Sequence, residues 1–308
     1  MITVILAKKI FSLFLIMLMS MAMVRFKLLK VEDSRIMSLL LLYLFFPCVI
    51  LVSFQIDFTD SVRNGMLLGF LAAILIQGLV MLNLGYILGK KFGFSPVEKC
   101  SVIYSNSGNL IIPLVTSVLG PEWVIYSSAY TTVQIVLFWT HLKSTIAGET
   151  HMDWKAVLTS ANMLAIFAGF FLLVTGIRLP EPVNDACRSL GAVVGPSAMI
   201  IAGILLGDMT FAKVKSFKRL PLVAFLRLVV APLLALVILK FSGLANFCEN
   251  GQTILLITLL ATATPSATTV VSMSTLFGHD GDYASVINVV TATLCTITMP
   301  IIVWLYML

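Results

Sequence analysis

Apolar stretches separated by short polar connections recur along the whole chain. The hydrocarbon layer of a membrane is about 30 Å thick and a helix rises about 1.5 Å per residue, so one crossing needs roughly 20 apolar residues. Windows bounded by charged residues predict ten such helices. Their approximate bounds are 4–24, 36–55, 66–88, 99–118, 122–142, 156–177, 187–207, 219–240, 252–275 and 284–307. The short connections between them predict no separate soluble domain.

The composition agrees with a chain that lies in a lipid bilayer. Of 308 residues, 59% are hydrophobic and only 11% are charged, and the mean hydropathy is +1.05. Soluble domains are far less apolar. The five cysteines fall singly and are interpreted as small hydrophobic residues. A net charge of +6 is explained by basic cytoplasmic loops, so we predict no nucleic-acid partner and no cofactor.

Lysine and arginine are shared unevenly between alternate loops. One set of loops carries Arg25, Lys27, Lys30, Arg35, Lys90, Lys91, Lys99, Lys143, Lys155, Lys213, Lys215, Lys218 and Arg219, and the opposite set carries Arg63, Arg178, Arg188 and Lys240. Cytoplasmic loops of membrane proteins are enriched in these residues. The bias predicts a multi-pass protein of the inner or plasma membrane with both termini outside.

The two halves of the chain, 1–150 and 151–308, share a pattern of proline and glycine positions. The matched positions are Pro47 with Pro196, Pro113 with Pro265, and Gly120 with Gly278. Five spans per half is an odd number, so the second half must enter the membrane inverted relative to the first. The predicted fold is an all-α integral membrane protein with ten transmembrane helices, a 5+5 inverted repeat and two broken crossover helices, comparable to bile-acid symporters and NhaA-type antiporters.

The fourth and ninth predicted spans are interrupted by polar residues, glycine and proline. The fourth contains "YSNSGNLIIPLV" from Tyr104 to Val115, and the ninth contains "ATATPSATTVV" from Ala261 to Val271. Proline removes a backbone donor and glycine loosens the helix, so both segments are predicted to break. Where two broken helices cross, their N-terminal halves offer free N–H groups and partial positive charge, which suits an anion. The alternative is a proline kink with polar residues joining neighbouring helices.

Several uncharged polar side chains accompany these breaks. Asn106 and Asn109 are three residues apart and would share a helical face. Thr264 and Ser266 flank Pro265 in the second break. Gln134 falls within the fifth span, where it is either a ligand of the substrate or a link between helices. Arg227 falls within the eighth span, where it either balances an anion or extends its side chain to the cytoplasmic surface.

Acidic residues and enzyme motifs limit the function classes. Every Asp and Glu falls in or close to a predicted loop, so we expect no buried carboxylate to relay protons. No metalloprotease, P-loop or serine-hydrolase motif is present, and the three histidines are scattered, so no enzyme is predicted. A transporter is the favoured function. A receptor-like protein that binds the ligand without moving it and a channel are the alternatives.

The chain resembles the auxin efflux carrier family, which includes plant PIN-formed carriers and bacterial permeases. The resemblance rests on "YSNSGNLIIPLV", on "RLVVAPLL" in the eighth span, and on "ATPSATTVVSMSTLFGHDGDYASVINVVTATLCTITMPIIVWL" near the C-terminus. It implies a scaffold and a transport domain, elevator-type alternating access, and small organic anions such as auxins, malate or malonate as substrates. By matching position, Asn106, Asn109 and Pro113 would line the first crossover, and Pro265 with Ser266 the second.

Two departures separate the chain from the plant members. The loop between the fifth and sixth spans is only about a dozen residues long, so regulation through a long cytosolic loop is not expected. The sixth span opens with Ser160, Ala161 and Asn162 where many members have Asn-Pro. The short form is typical of bacterial members. The substrate, the direction of transport, the coupling ion and the choice between a monomer and a homodimer stay open.

Overall fold

The computed structural model describes residues 2–148, 154–208 and 215–308, apart from the side chains of a few residues within these ranges, Asn109 among them. Every named element in these ranges is a helix. The helices are α1 (Ile2–Arg25), α2 (Val31–Ser53), α3 (Asp60–Phe92), α4 (Pro96–Ile103), α5 (Ser107–Val118), α6 (124–147), α7 (Trp154–Thr159), α8 (Ala161–Thr175), α9 (Glu181–Gly207), α10 (Leu220–Phe241), α11 (Gly251–Ala263), α12 (Thr268–Leu276) and α13 (Gly281–Met307). The predicted boundary between the two halves, after residue 150, lies outside the described residues.

Five helices in the described ranges are long and apolar enough to cross a membrane, namely α2, α3, α9, α10 and α13. They overlap the predicted second, third, seventh, eighth and tenth spans, with bounds that differ by a few residues. Shorter apolar helices are α8, α11 and the stretch Phe11–Arg25 of α1. The fourth and ninth predicted spans are each divided into two helices, α4 with α5 and α11 with α12. A multi-pass helical protein is therefore present, and the count of ten spans stays a prediction.

Helices α1, α2, α8 and α9 form a four-helix group, in which α1 packs on α9 and both α8 and α9 pack on α2. Glycine allows the close contact between α1 and α9, because a Cβ atom on Gly203 would collide with the backbone carbonyl of Met17. Ser20 Oγ donates a hydrogen bond to the Ile200 carbonyl across the same contact, at 2.8 Å. Small residues and hydroxyl bonds of this kind hold helices together in lipid.

The second group, called the crossover group, consists of α3 to α6 and α10 to α13. It contains the two interrupted helices, α4 with α5 and α11 with α12, and the helices that surround them. Helix α3 lies against α6 and α11, since a Cβ atom on Gly65 would collide with Tyr126 and Ile254. Both groups combine helices from the two halves of the sequence. The groups meet where α1 contacts α13 and where α9 contacts α5.

Local sequence explains how the short connections are made. Ser95 begins α4 with a capping box, in which Ser95 Oγ accepts from the Glu98 N–H at 3.2 Å and Glu98 Oε2 accepts from the Ser95 N–H at 2.9 Å. Pro96 occupies the first helical position, which needs no donor. Gly93 ends α3 with a φ of +60°, a conformation that glycine adopts without steric cost. Residues 93–96 thus reverse the chain in one short turn.

The expectation that no carboxylate is buried was wrong, because Glu98 is only 4% exposed. Its side chain accepts from the Tyr283 hydroxyl at 3.2 Å and pairs with Arg219 at 3.4 Å. These two contacts hold the carboxylate against the beginnings of α10 and α13. Glu98 lies in the first turn of α4, at the opposite end of that helix from the crossover described below.

Candidate functional site

The two interruptions lie side by side and pair with each other. We call residues 104–106 and 264–267 the crossover segments. Ser105 forms an antiparallel β-bridge with Ser266. The Asn106 N–H donates to the Pro265 carbonyl at 2.8 Å, and the Ala267 N–H donates to the Tyr104 carbonyl at 3.0 Å. The breaks therefore satisfy part of each other's backbone, as lipid-embedded chains require.

The two prolines of the matched spans occupy different positions relative to the breaks. Pro265 lies in the second crossover segment, as the sequence predicted. Pro113 lies inside α5, beyond the first break, and packs against the backbone of Gly195 in α9. The first helix thus opens at Tyr104–Asn106 rather than at its proline, because that segment gains the pairing with the second.

The guanidinium of Arg227 lies beside the C-terminal ends of α4 and α11. Its Nη1 donates to the carbonyls of Val102 at 3.0 Å and Ile103 at 3.4 Å. Its Nε and Nη2 donate to the Thr264 carbonyl at 3.1 and 2.9 Å, and Nη2 also donates to the Thr262 carbonyl. The side chain is 0% exposed, so the interpretation that it extends to the cytoplasmic surface was wrong.

This contact places one positive charge against two negative helix ends. The last carbonyls of a helix have no partner within that helix and carry partial negative charge. Arg227 belongs to the π-helical turn Leu226–Val230 of α10, and Pro232 follows it in the next turn. The wider turn is typical of functional positions in helices. Arg227 therefore stabilises the C-terminal side of the crossover.

Helix α6 holds the first crossover segment from a second direction. Gln134 Nε2 donates to the Ser105 carbonyl at 2.6 Å, and Gln134 Oε1 accepts from the Ser107 hydroxyl. The Tyr130 hydroxyl lies 3.3 Å from both Ser105 Oγ and Thr262 Oγ1. Gln134 is only 2% exposed. Its amide is thus used in positioning the crossover.

Helix α13 holds the second crossover segment. Asn288 Nδ2 donates to the Ser266 carbonyl at 2.5 Å, and the Ser266 N–H donates to Thr291 Oγ1 at 3.1 Å. Asn288 and Thr291 are three residues apart and so share one helical face. Two polar residues at this spacing within an apolar span are a signal that the sequence contains, but neither residue was predicted to belong to the site. The Ser266 hydroxyl is buried and has no hydrogen-bond partner among the described residues.

The N-terminal ends of α5 and α12 lie on the other side of the crossover. The residues that precede these helices, Asn106 and Ala267, provide no side-chain cap to them. The first N–H groups of each helix have no partner within the helix and carry partial positive charge. Asn106 Oδ1 instead accepts from the Thr268 hydroxyl at 3.4 Å, which joins the two helix ends.

A cavity of about 90 Å³ adjoins these ends, between the two helix groups. Its polar residues are Asn106, Thr268, Asn288 and Thr296. Residues of α1, α2 and α9 form the opposite wall, all of them apolar. No charged residue occurs among the described residues that line the cavity. Its polar surface is thus uncharged and concentrated near the crossover.

The structure separates the predicted site residues into three positions. Asn106 lines the cavity, Thr264, Pro265 and Ser266 form the second crossover segment, and Gln134 and Arg227 support the crossover from behind. Pro113 lies within α5, and the side chain of Asn109 lies outside the described part of the structure. Thr268 and Asn288 are cavity residues that the site prediction omitted.

Comparison with known protein families identifies the family of the chain. The family profile described as "Membrane transport protein" matches residues 5–151 and 149–303. The chain belongs to this family, the auxin efflux carrier family. A sequence search of curated proteins finds no match. Membership in the auxin efflux carrier family makes the chain a multi-pass membrane transport protein.

Proposed function

We propose that the protein moves small organic anions, and carboxylates in particular, across the membrane by alternating access. One observation carries the proposal. The N-terminal ends of α5 and α12, which the side chains of Asn106 and Ala267 do not cap, meet beside a cavity between two helix groups, with Asn106 and Thr268 at its polar end. Helix N-termini favour anions because their free N–H groups point at the ligand.

The difference between the two sides of the crossover is the reason to expect an anion as the ligand. Arg227 already compensates the negative C-terminal ends of α4 and α11. The positive N-terminal ends have no fixed counter-charge among the residues that line the cavity. A bound carboxylate would supply that charge, held by backbone N–H groups and uncharged side chains. Binding without a fixed ion pair permits release on the other side of the membrane.

Alternating access is the mechanism that fits a cavity between two groups of helices. We infer that α1, α2, α8 and α9 form a scaffold and that the crossover group moves relative to it, within ten spans arranged as an inverted repeat. Support comes from the matched breaks, each followed by a glycine of positive φ, Gly120 and Gly278. The lysine and arginine bias supports a cell-membrane location with both termini outside.

Counterflow in proteoliposomes tests the transport function. Vesicles loaded with an unlabelled carboxylate should accumulate the same carboxylate in labelled form through the wild-type protein, and malate, malonate and pentanoate are the three candidates to compare. Asn106→Ala should reduce this exchange at least about tenfold, because it removes an amide at the cavity and its bond to Thr268. The matched control is Asn83→Ala, since Asn83 is an exposed residue whose amide bonds only within α3.

Three outcomes of the counterflow experiment are informative. Exchange of carboxylates by the wild type and by Asn83→Ala, with loss in Asn106→Ala, would support the proposed site. Wild-type exchange by Asn106→Ala would place the site elsewhere. Binding of a carboxylate without exchange would favour a receptor, and flux without saturation would favour a channel.

A reversible crosslink tests the relative movement of the groups. A Cβ atom on Gly195 would lie 3.2 Å from the Cβ of Pro113, across the contact between α9 and α5. Cysteines at both positions should therefore form a disulfide after mild oxidation. The oxidised protein should bind substrate and fail to exchange it, and reduction should restore exchange. Equal exchange in the oxidised and reduced forms would contradict movement at this contact.

A further inference from the structure

We propose that the substrate carries one carboxylate on a compact apolar body, so that monocarboxylates of about four to six carbons bind and dicarboxylates bind poorly. The inference rests on the proposed function, because it narrows the substrate class of the same site. Three properties of the cavity support it. These are the place of its polar groups, the apolar character of its remaining lining, and its volume.

The polar groups at the crossover gather at one end of the cavity. Three of them lie at the crossover. Asn106 is part of it, and hydrogen bonds join Thr268 and Asn288 to it. Asn106 and Thr268 contact each other, and Asn288 donates to the Ser266 carbonyl. The fourth polar residue, Thr296, donates its hydroxyl hydrogen to the Thr293 carbonyl at 2.7 Å within α13. Because Thr268 and Thr296 already donate their single hydroxyl hydrogens, the side-chain donors at this end are the amide groups of Asn106 and Asn288. One carboxylate could bind these amides together with the first backbone N–H groups of α5 and α12.

The lining becomes apolar along both helices that leave this end. In α5, Leu110 and Leu114 follow Asn106 on the same face, and Leu114 lies about 12 Å along the helix from it. In α13, Ala292 and Met299 follow Asn288 on one face, and Met299 lies about 16 Å along the helix. An apolar body attached to the carboxylate would lie against these side chains.

The opposite wall supplies no partner for a second negative charge. It contains Leu13, Phe14 and Met17 of α1 and Met199 of α9. No lysine, arginine or histidine occurs among the described residues that line the cavity. An ionised carboxylate placed against such a surface loses its hydration without gaining a partner, which costs several kcal/mol. The second carboxylate of glutarate, which is four bonds from the first, would meet this cost.

The volume limits the length of the apolar body. A dry cavity of about 150 Å³ in another protein is large enough for benzene. The cavity here has about 90 Å³, so it suits an apolar body smaller than a benzene ring. A straight-chain acid of about four to six carbons meets this limit, and an indole-sized acid exceeds it.

Three five-carbon probes separate the contributions to binding. The purified wild-type protein in detergent micelles would be titrated calorimetrically with pentanoate, glutarate and 1-pentanol. Pentanoate should bind. Glutarate should bind at least about tenfold more weakly because of its second charge, and pentanol should bind at least about tenfold more weakly because it lacks an anion. Binding of glutarate as tight as that of pentanoate would overturn the inference.

A cavity-filling variant tests whether the body lies along α13. Ala292→Leu adds volume to the cavity face of that helix, so the affinity for pentanoate should fall at least about fivefold while that for acetate is retained. The control is Ile297→Leu, because Ile297 is 65% exposed, on the outward face of α13. An unchanged affinity for pentanoate in Ala292→Leu would contradict the assigned position.

The outcomes distinguish this inference from the proposed function. If malate, malonate or glutarate binds best and is exchanged, the protein carries organic anions and the monocarboxylate preference is wrong. If no carboxylate binds the wild-type protein while a cation or a neutral solute does, the proposed function fails and this inference fails with it.

Discussion

The two sides of the crossover are built from opposite ends of the broken helices, and only one side receives a fixed charge from the protein. On the C-terminal side, one fully buried arginine donates to the carbonyls of both α4 and α11. On the N-terminal side, α5 and α12 have no side-chain caps and adjoin a cavity whose described lining is uncharged. The protein therefore supplies a fixed charge to one side and none to the other.

This difference explains how a broken helix pair can be stable and functional at once. Unpaired backbone groups in lipid cost several kcal/mol each, so the breaks need permanent partners. Arg227, Gln134, Asn288 and the bridge between Ser105 and Ser266 provide them. With the backbone held in this way, the N-terminal ends adjoin the cavity, where we propose that an exchangeable anion binds.

The largest expected effect is the loss of Arg227. Arg227→Leu would leave the carbonyls of Val102, Thr262 and Thr264 without their donor. Because each buried carbonyl without a donor costs about 1 to 3 kcal/mol, we expect the variant to be destabilised by about 3 kcal/mol or more and to lose transport. The measurement is the melting temperature in detergent, with and without a carboxylate.

Two further variants make the prediction for Arg227 specific. Arg227→Lys keeps the charge and loses the forked geometry, so its melting temperature should lie between those of the wild type and Arg227→Leu. Arg63→Ala removes an exposed arginine that pairs with the exposed Asp60 at 2.8 Å within α3, and it should cost less than about 1 kcal/mol. A wild-type melting temperature for Arg227→Leu would contradict the role of Arg227 at the helix ends.

An intermediate effect is expected for Gln134, which supports one crossover segment rather than two. Gln134→Leu keeps a similar volume and removes the donor to the Ser105 carbonyl and the acceptor for the Ser107 hydroxyl. We expect a loss of about 1 to 3 kcal/mol, together with weaker carboxylate binding because α5 begins at Ser107. Thermal unfolding and calorimetric titration of the same sample check both parts. Gln77→Leu is the matched control, since Gln77 donates to the Tyr130 carbonyl of α6 and no hydrogen bond joins it to the crossover segments in the described part of the chain.

The stability and the carboxylate affinity of Gln134→Leu can change independently of each other. A loss of stability with wild-type carboxylate affinity would mean that the first crossover segment does not position the ligand. Equal losses of affinity in Gln134→Leu and Gln77→Leu would mean that any disturbance of α6 weakens binding.

The smallest expected effect concerns the Ser266 hydroxyl. It is buried without a hydrogen-bond partner among the described residues, so Ser266→Ala should leave the melting temperature nearly unchanged. If the hydroxyl donates to a bound carboxylate, the affinity should fall by up to about tenfold. Ser274→Ala is the control, because Ser274 in α12 is equally buried and also lacks a partner in the described structure. Equal affinities in both variants would exclude Ser266 from the anion site.

Local sequence was sufficient to locate both interruptions but not the residues at which they open. The polar and proline-containing segments predicted that the fourth and ninth spans break, since these residue types weaken a helix wherever they occur. The first break lies at Tyr104–Asn106, before Pro113, because pairing with Ser266 fixes it there. That pairing joins residues from opposite halves of the chain, which a reading of local pattern does not detect.

The hydrogen-bond partners of the buried charged residues could not be predicted from local sequence for the same reason. Arg227 bonds carbonyls that are 125 and 37 positions away in sequence, at Val102 and Thr264. The inward turn of Glu98 depends on Tyr283 and Arg219, which are also distant. The sequence identified Arg227 as costly to bury, but only the assembled fold shows which groups compensate it.

The most direct test of the central claim is to locate a bound carboxylate relative to both sides of the crossover. Solid-state NMR would measure dipolar coupling from the ¹³C-labelled carboxyl carbon of pentanoate to ¹⁵N in two samples in lipid. One sample carries ¹⁵N-labelled serine and threonine, which reports the amides of Ser107 and Thr268, and the other carries ¹⁵N-labelled arginine. We predict coupling to the serine and threonine amides and none to arginine. Coupling to the arginine guanidinium alone would place the anion on the wrong side of the crossover and contradict the account.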